Sequence, residues 1–227
     1  MEENAVKKTL TLVLVSFLLV SLTAFAASKN GISTSHNGQV TATAKPSGTF
    51  FGGGPIADIG ETVIYNNLSN YPLGVYWCCE GWTISGPNSP IGATYADGMP
   101  FTPAANGKVT KLVVAVGYVT GTNSVEISLN ADANGLPGNV IGKFDVTGLP
   151  SFGSCCVTVS KGGGGGVSVT AGTQYWVVVQ TDSKSADTWN AWNDNDTNET
   201  AQPFAFNNNG VWGATEGILG AFAVVGK

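Results

Sequence analysis

At 227 residues the chain is long enough for one ordinary domain whose core needs no metal to hold it. Ten lysines, no arginine and a formal charge of −5 leave it without the clustered basic face that nucleic acid or an anionic membrane surface requires. Its one histidine, His36, gives Ser-His-Asp and Cys-His nucleophile arrangements little to work with.

In chain order the first signal is a leader. Lys7 and Lys8 precede an apolar run from Leu10 to Leu22 that closes on Ala24-Phe25-Ala26. A basic start, a short apolar middle and an A-x-A end describe a secretory signal peptide over residues 1–26. The expectation is a secreted, extracellular protein with no stable membrane insertion after leader cleavage. Residues 27–58 are polar, carry His36 and end near Gly52-Gly53-Gly54-Pro55, so they read as a flexible N-terminal arm.

Residues 59–227 alternate strands and turns. Glu61–Tyr65, Val75–Trp77 and Trp82–Ile84 are short β-branched or aromatic runs. Val109–Val119 is the strongest run of the middle, and Val125–Leu129 alternates apolar and polar as a strand with one wet face does. Val140–Val146 follows, and the five glycines at 162–166 read as a flexible hairpin connection before Val167–Val169. Gln174–Thr181 is apolar on both faces, which predicts a central strand covered on each side. Phe204–Phe206, Val211-Trp212 and Ala221–Val225 complete the series, and no segment after the leader has a helical period. The fold class expected is all-β: an antiparallel two-sheet sandwich of jelly-roll type.

Four cysteines form two adjacent pairs, Cys78-Cys79 and Cys155-Cys156. In an oxidising compartment they are expected to form disulfides, with three connectivities open. Two facing antiparallel strands could carry Cys78–Cys156 and Cys79–Cys155, and vicinal bridges are the strained alternative. Adjacent pairs do not match the C-x₂₋₄-C spacing of thiolate metal sites.

From Glu61 onward a series of motifs keeps a recognisable order: Phe101-Thr-Pro103, Val109-Thr-Lys-Leu112, Gly121-Thr-Asn-Ser-Val125, Asn130-Ala-Asp132 with Gly135-Leu-Pro-Gly138, Gly148-Leu-Pro150, Ala171-Gly-Thr-Gln-Tyr-Trp176, Trp189 with Trp192-Asn193, and Ala221-Phe-Ala-Val224. Over most of residues 61–226 this resembles the bacterial exported domain called choice-of-anchor R and related PEP-CTERM-type secreted proteins. The resemblance implies a surface or secreted β-sandwich joined to varying C-terminal anchors. It supplies no catalytic residues to carry over. No sorting helix follows the last strand, which favours release over attachment.

The densest chemistry lies between Trp189 and Glu199. Indoles stack on sugar faces while amides and carboxylates fix hydroxyls, so Trp189, Trp192, Asn193 and Trp212 are candidate ligand-binding residues. Asp194, Asp196 and Asn198 are candidate calcium ligands, calcium being the one cofactor the residues suggest. The loop at Asn130, Asp132 and Asn134 has similar alternating oxygen donors. The function expected is a non-enzymatic interaction or structural module, its partner an extracellular glycan or surface protein. The alternatives are a carbohydrate-binding module using exposed tryptophans, or a glycoside hydrolase built on two carboxylates such as Glu80, Glu126, Asp145 or Glu216.

Overall fold

The computed structural model describes residues 28–29, 32–34, 38–42, 56–69, 76–77, 80–153, 159–200 and 203–227. The leader, His36 and all four cysteines lie outside the described residues, and so does the disulfide expectation.

The described residues form strands and no helix. The first are β1 (Ser28–Lys29), β2 (Ile32–Thr34), β3 (Gln39–Ala42), β4 (Thr62–Asn66), β5 (Glu80–Ser85) and β6 (Tyr95–Phe101). The middle of the chain supplies β7 (Gly107–Val114), β8 (Val116–Thr120), β9 (Ser124–Asp132), β10 (Pro137–Thr147) and β11 (Val159–Val169). The last are β12 (Tyr175–Gln180), β13 (Trp189–Asn193), β14 (Phe204–Asn208), β15 (Val211–Thr215) and β16 (Phe222–Gly226).

They make two antiparallel sheets, as expected. The smaller runs β11-β7-β16-β4. The larger runs β1-β2-β3-β5-β6-β12-β9-β10 and branches: β13 and β8 extend from β5, and β14 and β15 extend from β6. Between the sheets lies the main core. Met99, Phe101, Ile127, Leu129, Val177 and Val179 of the larger sheet meet Leu112, Val114, Phe222 and Val224 of the smaller. Side chains two apart on a strand share a face, so Val177 and Val179 point into this core while Trp176 and Val178 pack outward under Leu136 and Trp212. The central, doubly covered strand expected at 174–181 is β12, paired with β6 on one side and β9 on the other.

Three expectations are corrected. The run 109–119 is not one strand: β7 belongs to the smaller sheet and β8 to the larger, and the chain changes layer at Ala115. The Ala115 N–H donates to Ala221 O at 3.0 Å, and its carbonyl accepts from Asn193 N at 2.8 Å and Asn193 Nδ2 at 2.7 Å. The five glycines at 162–166 lie within β11 rather than in a connection, because β7 supplies ladder partners on both sides of them. The register slips between Gly162 and Val167, and Gly166 takes φ +73°, the bulge behaviour that glycine permits. Part of the N-terminal arm also joins the fold. β3 pairs with β5, where Val40 is fully buried against Trp189 and Phe152.

One central strand, β6, has little strand signal. Its sequence YADGMPF contains Asp97, Gly98 and Pro100, all poor strand formers. Pro100 is tolerated because β14 pairs only as far as Gly98, so no neighbour on that side asks for the missing N–H.

Candidate functional site

The acidic segment 194–199 leaves β13 as a tight turn against the loop before β16. Asn195, itself buried, builds that turn. Its Nδ2 donates to Leu219 O at 2.7 Å and Glu199 O at 3.2 Å, and its Oδ1 accepts from Thr197 Oγ1 at 2.7 Å and Glu199 N at 2.8 Å. The carboxylates of the turn meet three different fates. Glu199 accepts from the Tyr65 hydroxyl at 2.8 Å. Asp196 accepts from Ser69 Oγ through Oδ2, while its buried Oδ1 has no partner. Asp194 is 1 % exposed; the Gln39 side chain favours its charged form, but neither of its oxygens has a hydrogen bond of ordinary geometry.

Asp194 continues the β13 strand line opposite β5. The register sets Asn193 against Gly81, and Asp194 N donates to Glu80 O at 3.0 Å, so Asp194 and Glu80 are direct cross-strand neighbours. Burial first and the Glu80 charge second push the Asp194 carboxyl up to about 8, with the Gln39 side chain opposing. Behind them in the fold stands Asp97 of β6, fully buried between Val179 and Phe206 in register, with both oxygens unpartnered. Burial, then the charge of Asp194, holds it well above the ordinary carboxyl range.

Asp194 and Glu80, but not Asp97, open onto a cleft of about 280 Å³. Its lining includes Glu80, Asp194, Asp196, Asn198 and Ile218, and Trp77 stands on its rim. Trp77 is 55 % exposed, and its N–H donates to Asp194 O at 3.0 Å, tying the indole's backbone to the acidic strand. The fold therefore gathers the three candidate metal ligands Asp194, Asp196 and Asn198 around one opening. Among the described residues, no set of three or more His, Cys, Asp or Glu side chains is arranged to hold a metal ion unaided.

The candidate sugar platform is corrected. Trp189 and Trp192 are fully buried and Asn193 nearly so. Trp189 fills the outer face of β13 with Val40 and Phe152; Trp192 faces the main core, edge-on to Phe222 at 6.0 Å, its Nε1 donating to Ala221 O at 3.0 Å. Trp212 is half-buried over Trp176 and Val178, where it covers the larger sheet. The exposed indole beside polar groups is Trp77, which the sequence offered only as part of a strand.

The Asn130-to-Gly135 loop is a turn whose acid, Asp132, accepts from protein donors. Asp132 Oδ1 accepts from Trp176 Nε1 at 2.8 Å and Gln174 Nε2 at 2.9 Å, and Oδ2 accepts from Gly135 N at 3.1 Å. Burial works against the Asp132 charge, yet these donors hold its carboxyl below the usual range. Asn134 and Gly135 take φ 57° and 80°, as a tight hairpin turn asks. A second cavity of about 530 Å³ borders Glu126, Lys143, Asp145 and Asp182. Two of its acids are engaged: Glu126 accepts from Lys143 and Gln180 at 2.6 Å each, and Asp182 accepts from Ser124 Oγ at 3.0 Å and Lys184 N at 2.6 Å. The smaller cleft is bordered by Asp194 and Asp196, whose buried oxygens lack an ordinary hydrogen bond at three of their four atoms. Comparison with protein-family models, curated proteins and solved structures returned no match to this chain.

Proposed function

We propose that this protein is an exported, non-enzymatic interaction module that binds an extracellular glycan through the cleft beneath Trp77. The observation that carries this reading is the exposed Trp77 indole beside the Asp194 and Asp196 carboxyl oxygens, which have few protein partners. An aromatic face with a few convergent polar groups is the pattern of small-ligand sites. At about 280 Å³ the cleft lies just under the usual range of about 300–1,000 Å³, so it suits one ring-sized unit or a chain end rather than an oligomer. The leader-like first 26 residues and the resemblance to exported β-sandwich domains support placement outside the cell. Intrinsic fluorescence titrated with the hits of a glycan array tests the reading. Quenching lost in Trp77→Ala and kept in Trp212→Ala is expected; a response that survives Trp77→Ala would refute it.

A hydrolase reading has one observation in its favour. A carboxyl pushed up to about 8 beside a second carboxylate is the division of labour that glycosidases use. Release of reducing ends from a polysaccharide panel, abolished by Glu80→Gln, would replace the binding reading with this one.

A further inference from the structure

We propose that the cleft between β5 and the turn after β13 is a calcium site. Two acidic side chains, Glu80 and Asp194, stand directly opposite each other on neighbouring antiparallel positions. Two acids so placed cannot both ionise without cost, and among the described residues no lysine lines the cleft to offset them. One of the pair, Asp194, is 1 % exposed, and only the Gln39 side chain favours its charge, neither oxygen having a hydrogen bond of ordinary geometry. Buried polar groups are nearly always paired, and an unpaired carboxylate is among the costliest exceptions. Two such oxygens beside a second acid at one opening indicate that the missing partner is a cation from outside the chain.

The chemistry of the donors selects the cation. The described lining supplies oxygen atoms, hard ligands suited to calcium or magnesium rather than to softer metals. Magnesium demands near-octahedral geometry and gives up its water reluctantly. Calcium takes 6–8 oxygens in irregular arrangements and accepts amide groups and water beside carboxylates. Glu80 and Asp194 supply the charge, the Asn198 amide lines the same cleft, and water completes the shell. Because only two acids face each other, the affinity belongs to the range of extracellular modules, about 10⁻⁴–10⁻³ M.

The inference shares its cleft with the glycan reading but does not rest on it, so it is tested with metal alone. Full-length mature protein is stripped with EDTA and titrated with terbium under indole excitation, Trp77 being the antenna on the rim. Emission that rises with terbium and is displaced by calcium is expected, together with a calcium-dependent rise in Tm. Glu80→Gln and Asp194→Asn should each weaken calcium roughly tenfold or more, as expected for losing one of two charged ligands. Asp194→Asn should also raise Tm in EDTA, because it removes an unpaired buried acid; a residue that merely supports the turn would lower it. Asp145→Asn, beside the other cavity, should leave calcium binding unchanged. No displaceable emission and no Tm response at about 5 mM calcium, above the range named, would overturn the proposal, as would unchanged affinity in Glu80→Gln. Glycan titrations run in EDTA and at saturating calcium allow the two readings to fail separately.

Discussion

Replacing Trp192 with alanine tests the distinction between a tryptophan that holds the sheets together and one that meets a ligand. Trp192 is fully buried, edge-on to Phe222, with its indole N–H on Ala221 O and Gly220 pressed against its ring. A buried aromatic side chain removes about 150–250 Å² from water, worth about 4–6 kcal/mol at about 25 cal/mol/Å². Residual burial in the unfolded chain lowers that figure by about 10–40 %, to about 3–5 kcal/mol, which matches measured costs of Trp→Ala changes in cores. Trp77 is 55 % exposed, so Trp77→Ala should cost about half as much or less. Guanidinium denaturation followed by circular dichroism measures both, with a constant m-value required before the midpoints are compared. If Trp192→Ala lost less than about 1 kcal/mol, or no more than Trp77→Ala, the assignment of Trp192 to the core would fail.

Three further outcomes follow from the electrostatics. Asp97 has its folded pKa raised above the unfolded 3.8, so folding takes up a proton and stability falls as pH rises from about 4. Asp97→Asn should remove that slope, and its Tm in EDTA should gain on the wild type between pH 4 and pH 8; parallel curves would count against a buried, unpaired acid. Glu61 behaves oppositely. The Asp58 N–H at 3.0 Å, then Lys111 at 2.9 Å, hold its carboxyl down to about 2, so its contribution is present above about 4.5 and lost as pH falls toward 2. Glu61→Gln should cost about 1 kcal/mol at pH 7 and nothing at pH 2, read from urea midpoints. Asp132→Ala should cost about 2 kcal/mol or more by stripping the acceptor from Trp176, Gln174 and Gly135, while leaving terbium emission unchanged. A loss of terbium response there would move the cation to the wrong loop.

Much of the layered fold is legible in the residues because period-2 alternation is a strong local signal. Gln174–Thr181 announces its double burial by carrying Tyr175, Val177 and Val179 on one face and Trp176 and Val178 on the other. β6 is illegible for the opposite reason. Asp97, Gly98 and Pro100 each argue against a strand, and only pairing with β12 and β14 overrides them. The layer change at Ala115 leaves no trace, since both halves of Val109–Val119 are equally apolar. At the site, the acidic run at 194–199 is visible, but which acid is left without a donor depends on Tyr65 and Ser69, more than a hundred residues away. Glu80 reaches the cleft through strand register and Trp77 through a backbone hydrogen bond to Asp194, neither of which spacing reports. Trp189 and Trp192 mislead because an indole bound for a core and one bound for a sugar look alike in sequence.

Ala115 has a mechanical consequence. One residue stitches Asn193 of one layer to Ala221 of the other through the two peptides that flank it, and the chain itself passes through that stitch. A pull applied to β8 is therefore delivered straight into β7, and neither layer can peel away while its counterpart stays intact. The seam also lies at the base of the strand that carries Asp194. A load that reaches the turn at Asp194 is thus shared by both halves of the molecule at once.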